Sequence, residues 1–225
     1  MGAVIPIYLE TGSARVFAGA LDWPGWCRSG RTDTAAIDTL LGYRERYAAA
    51  IGGRGGALTG DGSYGVEVVE RLTGGAGTDF GAPGEIPEAD ASAIDAAERT
   101  RLLAILQGCW RTFDAHVEAA RGVDLRLGPR GGGRDLDKIR GHVLEAEQAY
   151  LAKLGSRPPK GDGGAAHLAK HRKAVRAAFT ARAGDRPPPE PNLVRVLWSP
   201  RYFARRAAWH VLDHAWEIED RVTPE

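Results

Sequence analysis

Between residues 73 and 91 the chain reads TGGAGTDFGAPGEIPEADA, a run rich in glycine, proline and acidic residues. Such composition marks a connection rather than an element. It serves either as a flexible tether or as a loop packed across the two parts it joins. On its N-terminal side the hydrophobic pattern mixes the period of strands with one helical stretch; on its C-terminal side it has the period of helices throughout. The chain is therefore expected to combine two units of different secondary structure.

In the first unit, Val4 to Glu10 places Ile5, Ile7 and Leu9 on alternate positions, as a strand does. Thr11-Gly12-Ser13 turns the chain, and Arg15 to Leu21 forms a second strand, making a hairpin. Trp26 to Ser29 is a short third strand. Thr32 or Asp33 caps a helix reaching to about Ile51, with Ile37, Leu40, Leu41, Tyr47 and Ile51 near helical spacing. Glycine-rich residues 52–63 end it, and Tyr64 to Leu72 is a β-prone last strand.

From Ser92 onward the pattern is helical. A cap within Ser92-Ala93-Ile94-Asp95 opens the first helix, and residues 122–134 break it. Asp135 opens a second helix to about Lys153. A third runs from Ala165 to Ala183. RPPPEPN at 186–192 excludes helix, because prolines remove donors and clash with helical geometry. Ser199-Pro200 starts a fourth, a hydroxyl cap followed by proline in the first turn. It continues to about Arg221, ahead of Pro224. The expected fold class is α+β. Residues 1–73 form a small α/β domain (β-β-(β)-α-β), residues 74–91 the linker, and residues 92–225 a four-helix bundle. The N-terminal unit is near the size at which one small core is marginal, so the two halves are expected to touch.

The formal net charge of +1 gives no field to attract nucleic acid or an anionic membrane. No apolar run is long enough to span a bilayer, and MGAVIPIYLE lacks the features of a secretion signal. A cytoplasmic protein without nucleic-acid or membrane partners is expected. Cys27 and Cys109 fall in different units and form no CxxC pair, so both read as small buried apolar residues.

The chemistry lies in the histidines. His210 and His214 are four apart on the fourth helix, one turn along one face. Phe203, Ala207, His210, His214 and Ile218 form a stripe facing the bundle interior, with Arg205, Arg206, Asp213 and Asp220 off it. On the second helix Ile139, His142, Val143, Ala146 and Tyr150 form the inward stripe. His142, His210 and His214 can therefore meet as three imidazole ligands of one divalent ion such as Zn, Ni, Fe or Cu, with coordination positions left open. The alternative is three buried, neutral, hydrogen-bonded core histidines. His167 and His171 share the same spacing, but Lys170, Arg172, Lys173 and Arg176 surround them, and a solvated basic face is expected there. His116 is a reserve ligand. HVLDH is not a zinc-protease motif, since no glutamate follows its first histidine. Glu217 and Asp213 either orient a ligating imidazole or are solvated acids.

The second helix, DKIRGHVLEAEQAYLAKLG, and the last, SPRYFARRAAWHVLDHAWEIEDR, resemble the corresponding helices of the DinB-like family over about residues 92–222. That resemblance implies a four-helix bundle holding one divalent metal, Zn or Ni foremost, through a lone histidine, here His142, and an HxxxH pair, here His210 and His214. Some members are transferases or isomerases using a low-molecular-weight thiol, so a thiol cofactor and a small-molecule substrate are implied. Arg140, Arg205 and Arg206 are then candidates to hold a thiol cofactor's carboxylate. FAGALDWPGWCRSGRTDTAAIDTLLGYRERYAAAI resembles the HicB-like fold through Pro24-Gly25, Gly30 and Thr32. It implies a binding domain often used as a dimer, so a homodimer is allowed; no DNA-binding segment accompanies it.

Three functions follow as expectations. The first is a metal-dependent thiol transferase, isomerase or hydrolase with Trp198, Tyr202, Trp209 and Trp216 near its pocket. The second is a non-catalytic binding protein whose metal is structural or absent. The third is a stress-associated protein without catalysis. The catalytic residues are not assigned.

Overall fold

A computed structural model describes residues 4–52, 58, 65–127, 133–184 and 187–222. Tyr64, most of the glycine-rich segment after Ile51, residues 128–132, Arg186 and Pro224 lie outside the described residues. The architecture is α+β. Strands β1 (Val4–Thr11), β2 (Val16–Ala20) and β3 (Cys27–Gly30) precede helices α1 (Asp33–Gly42) and α2 (Arg44–Ala50), and strand β4 (Gly65–Thr73) follows. The sheet order is β3-β2-β1-β4, with β4 parallel to β1 and the other pairs antiparallel. The element order is the one expected from the sequence, including the short third strand.

Strand alternation divides the sheet into two faces. Ile5, Ile7 and Leu9 of β1, with Val16, Ala18 and Ala20 of β2, enter a core shared with Leu40 of α1 and Tyr47 of α2. Trp26 donates its indole N–H to Leu40 O at 2.7 Å, and Tyr47 donates its hydroxyl to Pro24 O at 2.9 Å. The helix expected through residue 51 is broken at Tyr43, whose φ of −89° and ψ of 2° leave helical geometry. The break turns the Tyr43 ring onto Trp216, 5.1 Å between centroids, while Tyr47 stacks on Trp26 at 5.7 Å.

The segment after β4 is packed. It carries α3 (Ala76–Phe80) and a 3-10 turn over Glu88–Ala91. The buried Glu10 carboxylate, on the other face of the sheet, accepts hydrogen bonds from Thr78 Oγ1 at 2.6 Å and from the amides of Gly84 and Glu85 at 3.1 Å each. Asp79 accepts from Ser13 Oγ at 2.5 Å and from Ala14 N at 2.8 Å, which fastens α3 to the β1–β2 turn. Of the two readings of this stretch, the packed loop is the one observed.

Helices α4 (Ala96–Ala119), α5 (Leu136–Lys153), α6 (Ala165–Ala183) and α7 (Pro200–Val222) pack on one another. The N-termini of α4, α5 and α7 are capped as the sequence indicates. Asp95 accepts from Glu98 N at 2.7 Å, Asp135 from Lys138 N at 2.8 Å, and Ser199 Oγ from Tyr202 N at 3.2 Å. Gly108 of α4 lets the backbone of α2 approach; a Cβ there would lie 2.8 Å from Ala50 O.

Helix α7 is buried on nearly all sides rather than along one stripe. Its inner face meets the other helices, and its opposite face lies on the sheet, where Trp209 meets Phe17 edge-to-face at 6.2 Å. Arg205, expected off the buried stripe, is 6% exposed and pairs with Asp90, itself 1% exposed, at 2.7 Å. It also donates to Ala20 O at 2.8 Å and Leu21 O at 2.9 Å. One ion pair thus joins the last helix, the sheet and the connecting segment. A continuous hydrophobic core runs from Ile5 through Leu106 to Ile218, so the two halves share their interior. Among the described residues no helix is long and apolar enough to cross a membrane.

Candidate metal centre

Helix α5 presents His142 on its second turn, and α7 presents His210 and His214 one turn apart. The two helices pack so that the three rings converge. Ring centroids are separated by 5.1 Å for His142–His210, 4.9 Å for His142–His214 and 4.7 Å for His210–His214. One nitrogen of each ring can be chosen such that all lie within 4.8 Å of one another. Nε2 of His210 is 3.2 Å from Nε2 of His142. Two ligands of a tetrahedral zinc ion stand roughly 3.3 Å apart, from bond lengths of about 2.0–2.1 Å. The donor set and its spacing fit a divalent ion.

The surroundings favour the neutral imidazole, the form that binds a metal, at His210 and His142. Burial, then the neighbouring His214 and Arg206, push His210 down to about 2, so its imidazole is neutral. Burial, then His214 and Arg134, also lower His142. His214 Nδ1 lies 2.7 Å from Glu217 Oε2, and Arg221 Nη1 donates to the other oxygen of that carboxylate at 2.9 Å. Glu217 therefore holds the Nδ1–H tautomer and leaves Nε2 of His214 directed to the other rings. Hydrogen bonds to His214 and the charge of Arg221 outweigh burial and hold Glu217 below the usual carboxylate range. Asp213, the other acid considered for this role, pairs instead with Arg28 at 3.0 Å. His210 Nδ1 is buried without a partner among the described residues, whereas His214 has a carboxylate behind it.

Around the trio, Tyr150 stands 5.8 Å from His210 between ring centroids, and Trp198 packs on Tyr150 at 5.2 Å and on Tyr202 at 4.9 Å. Trp209 lies 6.1 Å from His210. Trp216 faces away, against Tyr43 and the Arg28 guanidinium, and is part of the contact between the halves. His142 is partly exposed, so the trio opens to solvent on the α5 side.

The other histidines do not join. His116 lies near Glu219, its Nε2 3.8 Å from that carboxylate. His167 and His171 are not on a solvated face. His171 is 0% exposed, and His167 is buried, accepting from Gly163 N through Nδ1 at 2.9 Å and facing Pro159 O through Nε2 at 2.9 Å. Residues 167, 171, 175 and 179 form the inward stripe of α6, while Lys170, Lys173 and Arg176 point outward. The charges that flank the histidines in sequence lie elsewhere around the helix. Both ring nitrogens of His171 lack partners among the described residues, and burial pushes its pKa down to about 4.

Of the arginines considered for a cofactor's carboxylate, Arg205 is committed to Asp90 and Arg140 pairs with Asp137 at 2.9 Å, while Arg206 remains beside the trio. A buried acid not singled out from sequence, Glu147, accepts from the Trp110 indole N–H inside the bundle. Its signal was its place on the stripe Ile139, Val143, Glu147 and Leu151. In comparisons with known proteins, no family model, no curated protein and no solved structure matches this chain.

Proposed function

We propose that this chain is a DinB-like metal-binding protein whose His142, His210 and His214 hold one divalent ion, Zn or Ni foremost, and that it acts as a thiol-dependent transferase, isomerase or hydrolase on a small molecule. The observation that carries this reading is the convergence of three imidazoles from two helices, with the set open on its His142 side. Three protein ligands leave a coordination position for an incoming group. A bound divalent ion would favour deprotonation of a thiol or water and polarise an electrophile. The chain's own contribution is positional. Glu217 fixes the His214 tautomer, Arg221 keeps Glu217 ionised, and burial keeps His210 neutral. Tyr150, Trp198 and Trp209 wall the site.

Loading the protein with Co(II) and adding glutathione tests the thiol part. A sulfur-to-cobalt charge-transfer band, absent in His214→Ala, supports it. Its absence with Co(II) bound removes the thiol chemistry. The competing reading is a binding protein with a structural metal. The observation in its favour is that a cavity of about 440 Å³, lined by Val117, Ala120, Leu136 and Arg140 among others, is not lined by the three histidines.

A further inference from the structure

Arg206 precedes His210 by four residues, so the two side chains rise from neighbouring turns on one side of α7. Its guanidinium is held in place. Nη1 donates to Pro83 O at 2.7 Å, and Cζ lies 4.6 Å from the Trp209 ring centroid and 5.8 Å from that of Tyr150. Both aromatic rings also border His210. The cation is thus built into the same wall as the histidine trio.

The other arginines of α7 are matched with acids: Arg201 with Glu98, Arg205 with Asp90 and Arg221 with Glu217. Among the described residues no carboxylate lies within 4.0 Å of Arg206; Glu85 borders the same small recess but stays beyond ion-pair distance. A guanidinium has five N–H donors in a planar fork suited to a carboxylate; the Pro83 contact uses one group of that fork and the Tyr150 hydroxyl is a second, uncharged hydrogen-bonding neighbour, which leaves the fork part free and its charge unmatched by an acid. The histidine ligands bring no negative charge, and Glu217 is committed to His214 and Arg221. A divalent ion there would keep its charge next to an unmatched arginine, and this combination favours an anionic ligand.

We propose that Arg206 is a specificity-determining residue that binds a carboxylate, so that the small molecule taken at the histidine centre is an organic acid with its carboxylate on Arg206. This rests on the metal-centre reading above.

The test uses the full chain loaded with Zn(II), its metal content measured by elemental analysis, titrated calorimetrically with benzoate and with its neutral counterpart benzamide. Benzoate is expected to bind roughly tenfold or more tightly than benzamide, a difference of about 1.4 kcal/mol or more. Arg206→Gln, which keeps a donor for Pro83 O, should lose that preference while retaining its zinc. Arg206→Lys, which keeps the charge but not the fork, should retain part of it. Equal binding of the two probes by the zinc-loaded wild type overturns the inference without any variant. So does unchanged benzoate affinity in Arg206→Gln. Absence of zinc from the wild type instead overturns the metal-centre reading, and this inference with it.

Discussion

Nε2 of His210, on α7, faces Nε2 of His142, on α5, at 3.2 Å, and His214 completes a triangle of rings with them. Ligands drawn from two helices make metal binding and helix docking one event, so an ion should stabilise the fold. At free Zn(II) of about one hundred times Kd the gain is about 2.7 kcal/mol, or roughly 5–10 °C in Tm for a chain of this size. Thermal melts with and without Zn(II) check this. His142→Ala should show no metal-dependent shift.

Glu217 contacts the His214 ring at Nδ1, and its effect runs through the His214 tautomer. Glu217→Gln should weaken metal affinity by roughly 10- to 100-fold without abolishing it. Competition with a chromophoric chelator measures this. Affinity equal to wild type would mean that Glu217 does not position the ring.

The Asp90–Arg205 pair is buried on both sides. Asp90→Ala leaves an uncompensated guanidinium and should cost about 3–5 kcal/mol in urea unfolding. Combining it with Arg205→Met should recover part of that loss, as coupled neighbours do. Strict additivity of the two losses would show that the pair is not a locking element.

Glu147 predicts a pH dependence. Burial is the main cause that raises its carboxyl from 4.5 to about 7, against Arg172 and the Trp110 hydrogen bond. Between these values the folded chain holds a proton that the unfolded chain has released. Stability therefore falls as pH rises from 4.5 to about 7 and levels off above. Glu147→Gln keeps an acceptor for Trp110 and removes the ionisation, so it should be more stable than wild type at pH 8, on the order of 3 kcal/mol, and nearly equal near pH 4.5. Parallel urea-stability profiles for the two proteins would contradict this.

Local signals were the legible part of the fold. Hydroxyl and carboxylate caps at Thr32, Asp95, Asp135 and Ser199 mark helix starts because their hydrogen bonds reach only three residues ahead. The trio was legible because His142, His210 and His214 share inward stripes with apolar residues. Nonlocal effects were hidden. Arg205 looks like one of several surface arginines until Asp90, 115 residues away, is brought against it. The ring that the break at Tyr43 presents meets Trp216, which lies in the last helix. The burial of His171 is hidden in the sequence because its basic neighbours along the chain are not its neighbours around the helix.

Elemental analysis of the untagged protein beside His210→Ala decides whether His142, His210 and His214 hold one metal ion. About one equivalent of Zn, Ni or another divalent metal is expected in the wild type, and its loss in a variant that remains folded. No metal in either protein, even after metal is added back, would contradict the three-histidine site.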